Sequence, residues 1–162
     1  MRFHGCMATL DIVTLIAAGA NLLVAGVFFA FSSFVMQALD SLGVRESVAA
    51  MRAINSRAVT PAFMVALFGS AAVAVGCAVV AVVNGSPGFP LVISGAAAAI
   101  IGVIGTTIAA NVPLNDALAE AGDDDHAAAW SRFYRPWVRA NSVRTLAGVV
   151  SGALLIAAVV IH

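Results

Sequence analysis

Lysine is absent from this chain of 162 residues, and charged residues of all kinds make up only 10% of it. Soluble domains carry about a quarter charged residues. The formal net charge is zero, so the sequence offers no basic surface of the kind that nucleic acid requires, and we expect no nucleic-acid partner. Two cysteines, Cys6 and Cys77, stand far apart with no Cys-x-x-Cys pair, which argues against a thiol-redox site and a cysteine-based metal site.

The chain instead contains long hydrophobic segments. Of its residues, 62% are hydrophobic, and residues 12–39, 58–115 and 145–161 contain no Asp, Glu, Lys or Arg. A bilayer core takes about 20 apolar residues as helix, and the middle run is long enough for two spans. The sequence therefore predicts an all-α fold, a single domain over 1–162 that forms a four-helix transmembrane bundle. The spans are expected near 10–36, 59–83, 90–113 and 138–161, with short interfacial helices in the loops 37–58 and 114–137.

The arginines are distributed unevenly between the two ends of such a bundle. Four spans place both long loops at one end and both termini at the other. Basic residues favour the cytoplasmic side, so we expect the long loops in the cytoplasm, both termini outside, and the protein in the cell (inner) membrane. Only Arg2 belongs to the end with the termini. The other seven arginines belong to the end with the long loops: Arg45, Arg52, Arg57, Arg132, Arg135, Arg139 and Arg144.

The two long loops resemble each other. "MRAINSR" (51–57) precedes the second span and "VRANSVR" (138–144) opens the fourth. A duplicated helical hairpin would explain the match, and chance is the alternative for segments this short. Glycines also recur every seven residues in three spans, which favours close helix packing, either within the bundle or between copies in a homo-oligomer.

The segment "WSRFYRPWVRANSVR" (130–144) concentrates arginines and aromatics. Wound as a helix, it gathers Trp130, Phe133, Tyr134, Trp137, Asn141 and Arg144 on one arc and Arg132, Arg135 and Arg139 on the opposite one. The three opposite arginines are expected to meet headgroups or water. Arg144 shares the aromatic face, and a charge inside a bilayer is costly, so we interpret Arg144 and Asn141 as a donor-rich pocket floor. Pro136 is expected to bend the helix and open the fourth span.

A second polar group ends the third span in "NVPLN" (111–115). Thr107, Asn111 and Asn115 are spaced four residues apart and form one stripe at the same membrane face as Arg144. The plain interpretation is a capped and kinked helix end. The functional one is a pocket mouth opposite Arg144, which Asn55 and Arg57 from the matching loop would complete.

These segments, together with "FVMQAL" after the first span and "MRAIN" before the second, resemble a four-helix membrane family long described as a domain of unknown function (DUF1772). Its characterised members are anthrone oxygenases of fungal polyketide pathways. The resemblance implies an oxidoreductase that needs no cofactor and no metal, because the substrate's own enolate reacts with oxygen. On this view Trp130, Tyr134 and Trp137 stack on the rings with Asn55 and Arg57 beside them, Arg144 and the amides of Asn111, Asn115 and Asn141 stabilise the oxyanion, and Asp116, backed by His126, is the best candidate for the base.

Three functions follow from these residues. The first is a cofactor-free monooxygenase acting on a hydrophobic aromatic at the membrane face. The second is a non-catalytic binder or carrier of a lipid-like small molecule, and the third is a structural membrane subunit. In each case the expected partners are membrane lipid and, for the first two, a hydrophobic small molecule.

Overall fold

The computed structural model describes the backbone of residues 2–161 and the side chains of residues 8–122 and 124–161. In this part of the chain the structure is helical, without strands. A helix that begins at Arg2 contains the first long apolar segment, α1. The bounds are Ala8–Asp40 for α1, Val44–Ala58 for α2, Pro61–Val83 for α3, Phe89–Glu120 for α4 and His126–Val160 for α5.

Four of these helices, α1, α3, α4 and α5, are long and apolar enough to cross a membrane. The chain is thus a multi-pass membrane protein with the predicted four-helix fold. Neighbours around the bundle are α1 with α3, α3 with α4, α4 with α5, and α5 with α1. The amphipathic α2 packs against α4 and α5, so both long connections lie at one end, the loop end. The tight turn after α3, the start of α1 and the end of α5 lie at the other, the terminal end.

The fourth span does not open at Pro136, as the sequence suggested. Helix α5 runs without interruption from His126 to Val160 with Pro136 inside it. Proline removes one backbone hydrogen bond, and Pro136 is exposed while Trp130 and Phe133 before it are buried. Burial of that aromatic face keeps the helix continuous. Residues 114–137 therefore belong mainly to α4 and α5, and the separate loop helix is α2.

Local signals explain the start of α3 and the turn after it. Thr60 is the N-cap, where its Oγ1 accepts a hydrogen bond from the Phe63 N–H at 3.4 Å, and Pro61 follows at the first helical position. This break at residues 59–60 separates "MRAINSR" from its span, whereas "VRANSVR" lies in the middle of α5. Gly85 has a φ of 62° in the turn, a left-handed conformation that glycine adopts without a steric cost.

Small residues bring α5 close to α1 and α4. A Cβ on Gly148 would lie 2.9 Å from the Cβ of Ala25, and one on Gly152 would meet Leu22. By contrast, a Cβ on Gly19 or Gly76 would have no atom within 4 Å. The glycines of α5 are therefore packing residues, as expected, while these two in α1 and α3 face open space.

Candidate functional site

A cavity of about 400 Å³ lies at the loop end of the bundle. Helix α1 contributes Val27, Phe28 and Phe31, and the second half of α2 covers the cavity. The remaining walls come from the start of α3, from Asn115 of α4 and from two turns of α5. Six of the ten site residues expected from the sequence line it: Asn55, Arg57, Asn115, Trp137, Asn141 and Arg144.

Arg144 lies inside the bundle, as the helical projection predicted, and is only 6% exposed. Its Nη2 donates to Asn141 Oδ1 at 2.6 Å and its Nη1 to Thr107 Oγ1 at 3.3 Å. The guanidinium carbon lies 4.0 Å from the centre of the Phe28 ring, a cation–π contact. Nε is buried and has no partner among the described residues. No described carboxylate pairs with this arginine, so its positive charge faces the cavity uncompensated.

Asn141 is completely buried and connects α5 to α1. Its Nδ2 donates to the Phe28 carbonyl oxygen at 2.6 Å and to Ser32 Oγ at 2.7 Å, and its Oδ1 accepts from Arg144. An amide nitrogen has two hydrogens, so both are used. The sequence suggested that this amide would donate to a substrate oxyanion. In this geometry neither hydrogen remains free for a substrate.

The predicted polar stripe of α4 faces α5. Thr107 reaches Arg144, and Asn115 Oδ1 accepts from Trp137 Nε1 at 2.8 Å. The Nδ2 of Asn115 has no acceptor among the described residues, which leaves it available to the cavity that Asn115 lines. Asn111 lies behind this layer: it is 1% exposed, its Nδ2 is 3.5 Å from the Trp137 carbonyl oxygen, and it does not line the cavity.

The described residues contain four π-helical segments, and two of them carry these polar groups, whereas Val65–Gly69 and Ala98–Gly105 are apolar. One such turn in α1 spans Phe31–Val35, and Met36 N–H donates to the carbonyl oxygen of Phe31, five residues back. Another in α4 spans Thr107–Asn111 and ends two residues before Pro113. Turns of this kind are rare and occur frequently at functional sites. Their residues contact Asn141, Arg144 and the Trp137 backbone across the bundle.

The aromatic residues of the cavity differ from those expected. Trp130 and Tyr134 do not line it: their rings stack on each other at 5.8 Å, and Trp130 Nε1 donates to Asp40 Oδ1 at 2.7 Å, which ties the end of α1 to α5. Trp137 does line it, and three phenylalanines that the sequence analysis did not assign complete the walls. They are Phe28, Phe31 and Phe63. In the sequence, Phe28 and Ser32 fall on the same helical face of α1 as Thr14 and Asn21. This stripe of polar residues is the pattern from which their position beside the site could have been predicted.

The candidate base is not at the cavity. Asp116 is exposed and His126 is half-buried at the start of α5, and neither lines the cavity. The described side chains that line it include no carboxylate and no imidazole. Within the described residues no three His, Cys, Asp or Glu side chains are grouped closely enough to hold a metal ion. Asn55 is half-buried in the cavity wall, and Arg57 is exposed at its edge.

The remaining arginines of α5 behave differently from Arg144. Arg132, Arg135 and Arg139 are exposed, as predicted from the helical projection. Arg132 is 4.0 Å from Asp125, a surface contact of little energetic weight. In α2, Arg52 donates from Nε to the Leu118 carbonyl oxygen at 2.9 Å and also to that of Ala121. It thereby fastens the helix that covers the cavity to the end of α4.

Comparison with known proteins gives one family match. A family model described as anthrone oxygenase matches residues 59–154, more than half of the chain. The matched range contains α3, α4, most of α5 and the segments "NVPLN" and "RPWVRANSVRT", whereas α1 and α2 lie before it. No curated protein and no solved structure matches the chain.

Proposed function

Because the chain belongs to the anthrone oxygenase family, we propose that it oxygenates a flat, hydrophobic aromatic substrate in the loop-end cavity, without a cofactor, by stabilising the substrate's enolate. The observation that carries this proposal is the buried guanidinium of Arg144. It has no carboxylate partner among the described residues and borders a cavity walled by aromatic rings. Placed there, an enolate oxygen would gain a charge-assisted hydrogen bond in a site of low dielectric constant.

The cavity walls suit a planar ring system. Phe28, Phe31, Phe63 and Trp137 offer faces and edges for stacking, which adds to the gain from apolar burial. Asn115 Nδ2 offers a second donor near the loop end. The cavity therefore has mostly apolar walls, with hydrogen-bond donors from Arg144 and Asn115 at two separate places. This combination is typical of a small-molecule site.

The reaction balances with molecular oxygen as the co-substrate. Loss of a proton from the substrate's CH₂ group gives the enolate, and transfer of electrons from the enolate to oxygen forms a C–O bond and a peroxide anion. This anion takes up a proton from water and becomes a hydroperoxide. The O–O bond and the remaining C–H bond then break, which gives a ketone and one water: R₂CH₂ + O₂ → R₂C=O + H₂O. Since the described lining has no carboxylate or imidazole, the first proton leaves to water and Arg144 holds the anion that results. Turnover should then follow the acidity of the substrate: a more acidic anthrone reaches its full rate at lower pH.

The test is enzyme-dependent oxygen uptake with a dihydroxyanthrone by protein in lipid nanodiscs, comparing wild type with Arg144→Gln and with the surface control Arg139→Gln. Loss of a donor to a developing oxyanion costs about 100- to 1000-fold in rate. We expect that loss in Arg144→Gln and a change of less than about twofold in Arg139→Gln. No uptake above the spontaneous rate by folded wild-type protein would sink the oxygenase.

A binder of the same anionic ligand is the second candidate, and the lack of a carboxylate or imidazole among the described lining residues favours it. A carrier needs the guanidinium and the aromatic walls but no proton acceptor. It predicts that the dihydroxyanthrone binds, is recovered unchanged, and loses affinity in Arg144→Gln.

We also propose that the loop end faces the cytoplasm, because seven of the eight arginines belong to it in sequence. Single cysteines at Ser41 and Asn84, in a Cys6→Ser, Cys77→Ala background, would test this in intact cells. The reagent, a thiol label that does not cross membranes, should modify position 84 and spare position 41. Labelling at position 41 and not at position 84 would show that the loop end faces the outside.

A further inference from the structure

Ser32 lies in the π-helical turn of α1, does not line the cavity, and touches the amide of Asn141. We propose that Ser32 is a positioning residue: it holds the Asn141 amide so that the amide oxygen fixes the guanidinium of Arg144. This inference rests on the proposed role of Arg144 as the anion-binding group. It adds a residue of α1, outside the range that the family model matches.

Hydrogen-bond chemistry fixes the orientation of the Asn141 amide. The Phe28 carbonyl oxygen can only accept, so the atom 2.6 Å from it must be the amide nitrogen. Ser32 Oγ takes the second hydrogen of that nitrogen at 2.7 Å. The amide oxygen is thereby turned toward Arg144 Nη2, where only an acceptor is useful. A reversed amide would place N–H groups against a guanidinium that has only donors.

The hydroxyl of Ser32 is itself held in the accepting role. Ser142 Oγ lies 3.1 Å from it and also 2.8 Å from the Val138 carbonyl oxygen. A serine hydroxyl has one hydrogen, and the carbonyl can only accept, so Ser142 donates to Val138. Ser32 then donates its own hydrogen to Ser142, and its lone pair remains for Asn141.

The guanidinium has little else to fix it. Its contact with Asn141 Oδ1 is 2.6 Å, whereas the contact with Thr107 Oγ1 is 3.3 Å. The rings of Phe28 and Trp137 restrain it only through cation–π contacts, with their centres 4.0 and 5.6 Å from the guanidinium carbon. A stacked guanidinium can turn in its own plane. Removing the Ser32 acceptor leaves one Asn141 hydrogen unpaired and lets the amide swing, so Arg144 loses its strongest orienting contact. Small misplacements of a binding group are costly in a preorganised site.

The experiment measures anion selectivity, which a purely structural role would not alter. The probes are anthracenecarboxylate and anthracenemethanol, an anionic and a neutral ligand of similar shape, and the readout is the ratio of their affinities for nanodisc protein. Ser32→Ala should lower the anion-to-neutral ratio about three- to tenfold, the range for one lost hydrogen bond. Ser32→Thr, which keeps the hydroxyl, should restore the ratio to within about twofold of wild type.

Ser33→Ala is the matched control, because Ser33 Oγ donates within its own helix, to the Phe29 carbonyl oxygen at 2.7 Å. It should leave the ratio unchanged. A wild-type ratio in Ser32→Ala, or an equal loss of affinity for both probes, overturns the positioning role while the proposed function stands. An unchanged ratio in Arg144→Gln overturns the proposed function, and this inference with it.

Discussion

At the terminal end of the bundle, the core consists of small side chains such as Ala17, Ala18, Ala74 and Ala81. At the loop end, Met36, Met51, Trp130, Phe133 and Trp137 fill the interior, and Arg144 and Asn141 are buried below them. Small residues let helix backbones approach each other in lipid, where there is little hydrophobic drive toward association. Large aromatics hold helices apart. The terminal end, here called the closed half, thus brings helix backbones close together and carries an apolar groove of about 420 Å³ between α1 and α3. The loop end, here called the open half, contains the cavity that Arg144 and Asn141 line.

The position of Arg144 in the bundle indicates why this charge is buried. Arg144 lies in the open half, beside a cavity, with neutral hydrogen-bond partners only. An unpaired buried charge is costly to stability, and a fold keeps one when it serves another purpose. We therefore interpret the packing of the closed half as the stabilising contribution that offsets the cost of burying Arg144 in the open half.

Among the changes to packing and to single hydrogen bonds, the largest effect is expected where α5 approaches α1. Gly148→Ala should lower the free energy of unfolding by about 1–3 kcal/mol, because the new Cβ would lie 2.9 Å from Ala25 Cβ and 3.4 Å from the Asn21 carbonyl oxygen. Gly19→Ala is the matched control, since nothing lies within 4 Å of its Cβ. Thermal unfolding in detergent measures both. Equal stability of the two variants would contradict the close approach of α1 and α5.

A smaller effect is expected when one hydrogen bond of the open half is removed. Trp137→Phe keeps an aromatic wall but frees Asn115 Oδ1, and an unmade bond of this kind costs about 1 kcal/mol. We expect kcat/KM for the dihydroxyanthrone to fall about fivefold. The control, Trp130→Phe, loses the bond to Asp40 away from the cavity and should lower the Tm with little change in kcat/KM. If Trp130→Phe lowered kcat/KM and Trp137→Phe did not, the substrate site would instead lie at Trp130 and Tyr134.

The smallest effect belongs to the acid that sequence reasoning favoured as a base. Asp116 is exposed and outside the cavity lining, so Asp116→Asn should change kcat by less than about twofold. Oxygen uptake at several pH values measures it. A loss of tenfold or more would show that Asp116 takes the substrate proton.

Much of this fold follows from local pattern. Long uncharged runs fix the four spans, and the 3.6-residue period correctly separated Arg144 from Arg132, Arg135 and Arg139 on α5. The stripe of Thr107, Asn111 and Asn115 was likewise visible, because both signals depend only on spacing within one helix.

The rest depends on how far apart the helices stand, which spacing within one helix does not determine. Trp130 and Trp137 share a face of α5, yet only Trp137 reaches the cavity, because α2 and the end of α1 cover Trp130. Ser32 lies in a π-helical turn, a backbone feature with no distinct sequence pattern here. Phe28 gains its role from contacts with Asn141 and Arg144 on another helix. The continuity of α5 through Pro136 arises from aromatic burial on the opposite face, again a tertiary effect.

The central claim is that Arg144 presents an uncompensated positive charge to a ligand in the loop-end cavity. The most direct test is the affinity of nanodisc protein for anthracenecarboxylate relative to anthracenemethanol in wild type, Arg144→Gln and Arg139→Gln. We predict that wild type and Arg139→Gln prefer the anion by at least about tenfold, the value of one charge-assisted hydrogen bond, and that Arg144→Gln has no preference. An identical preference in all three proteins would contradict the claim.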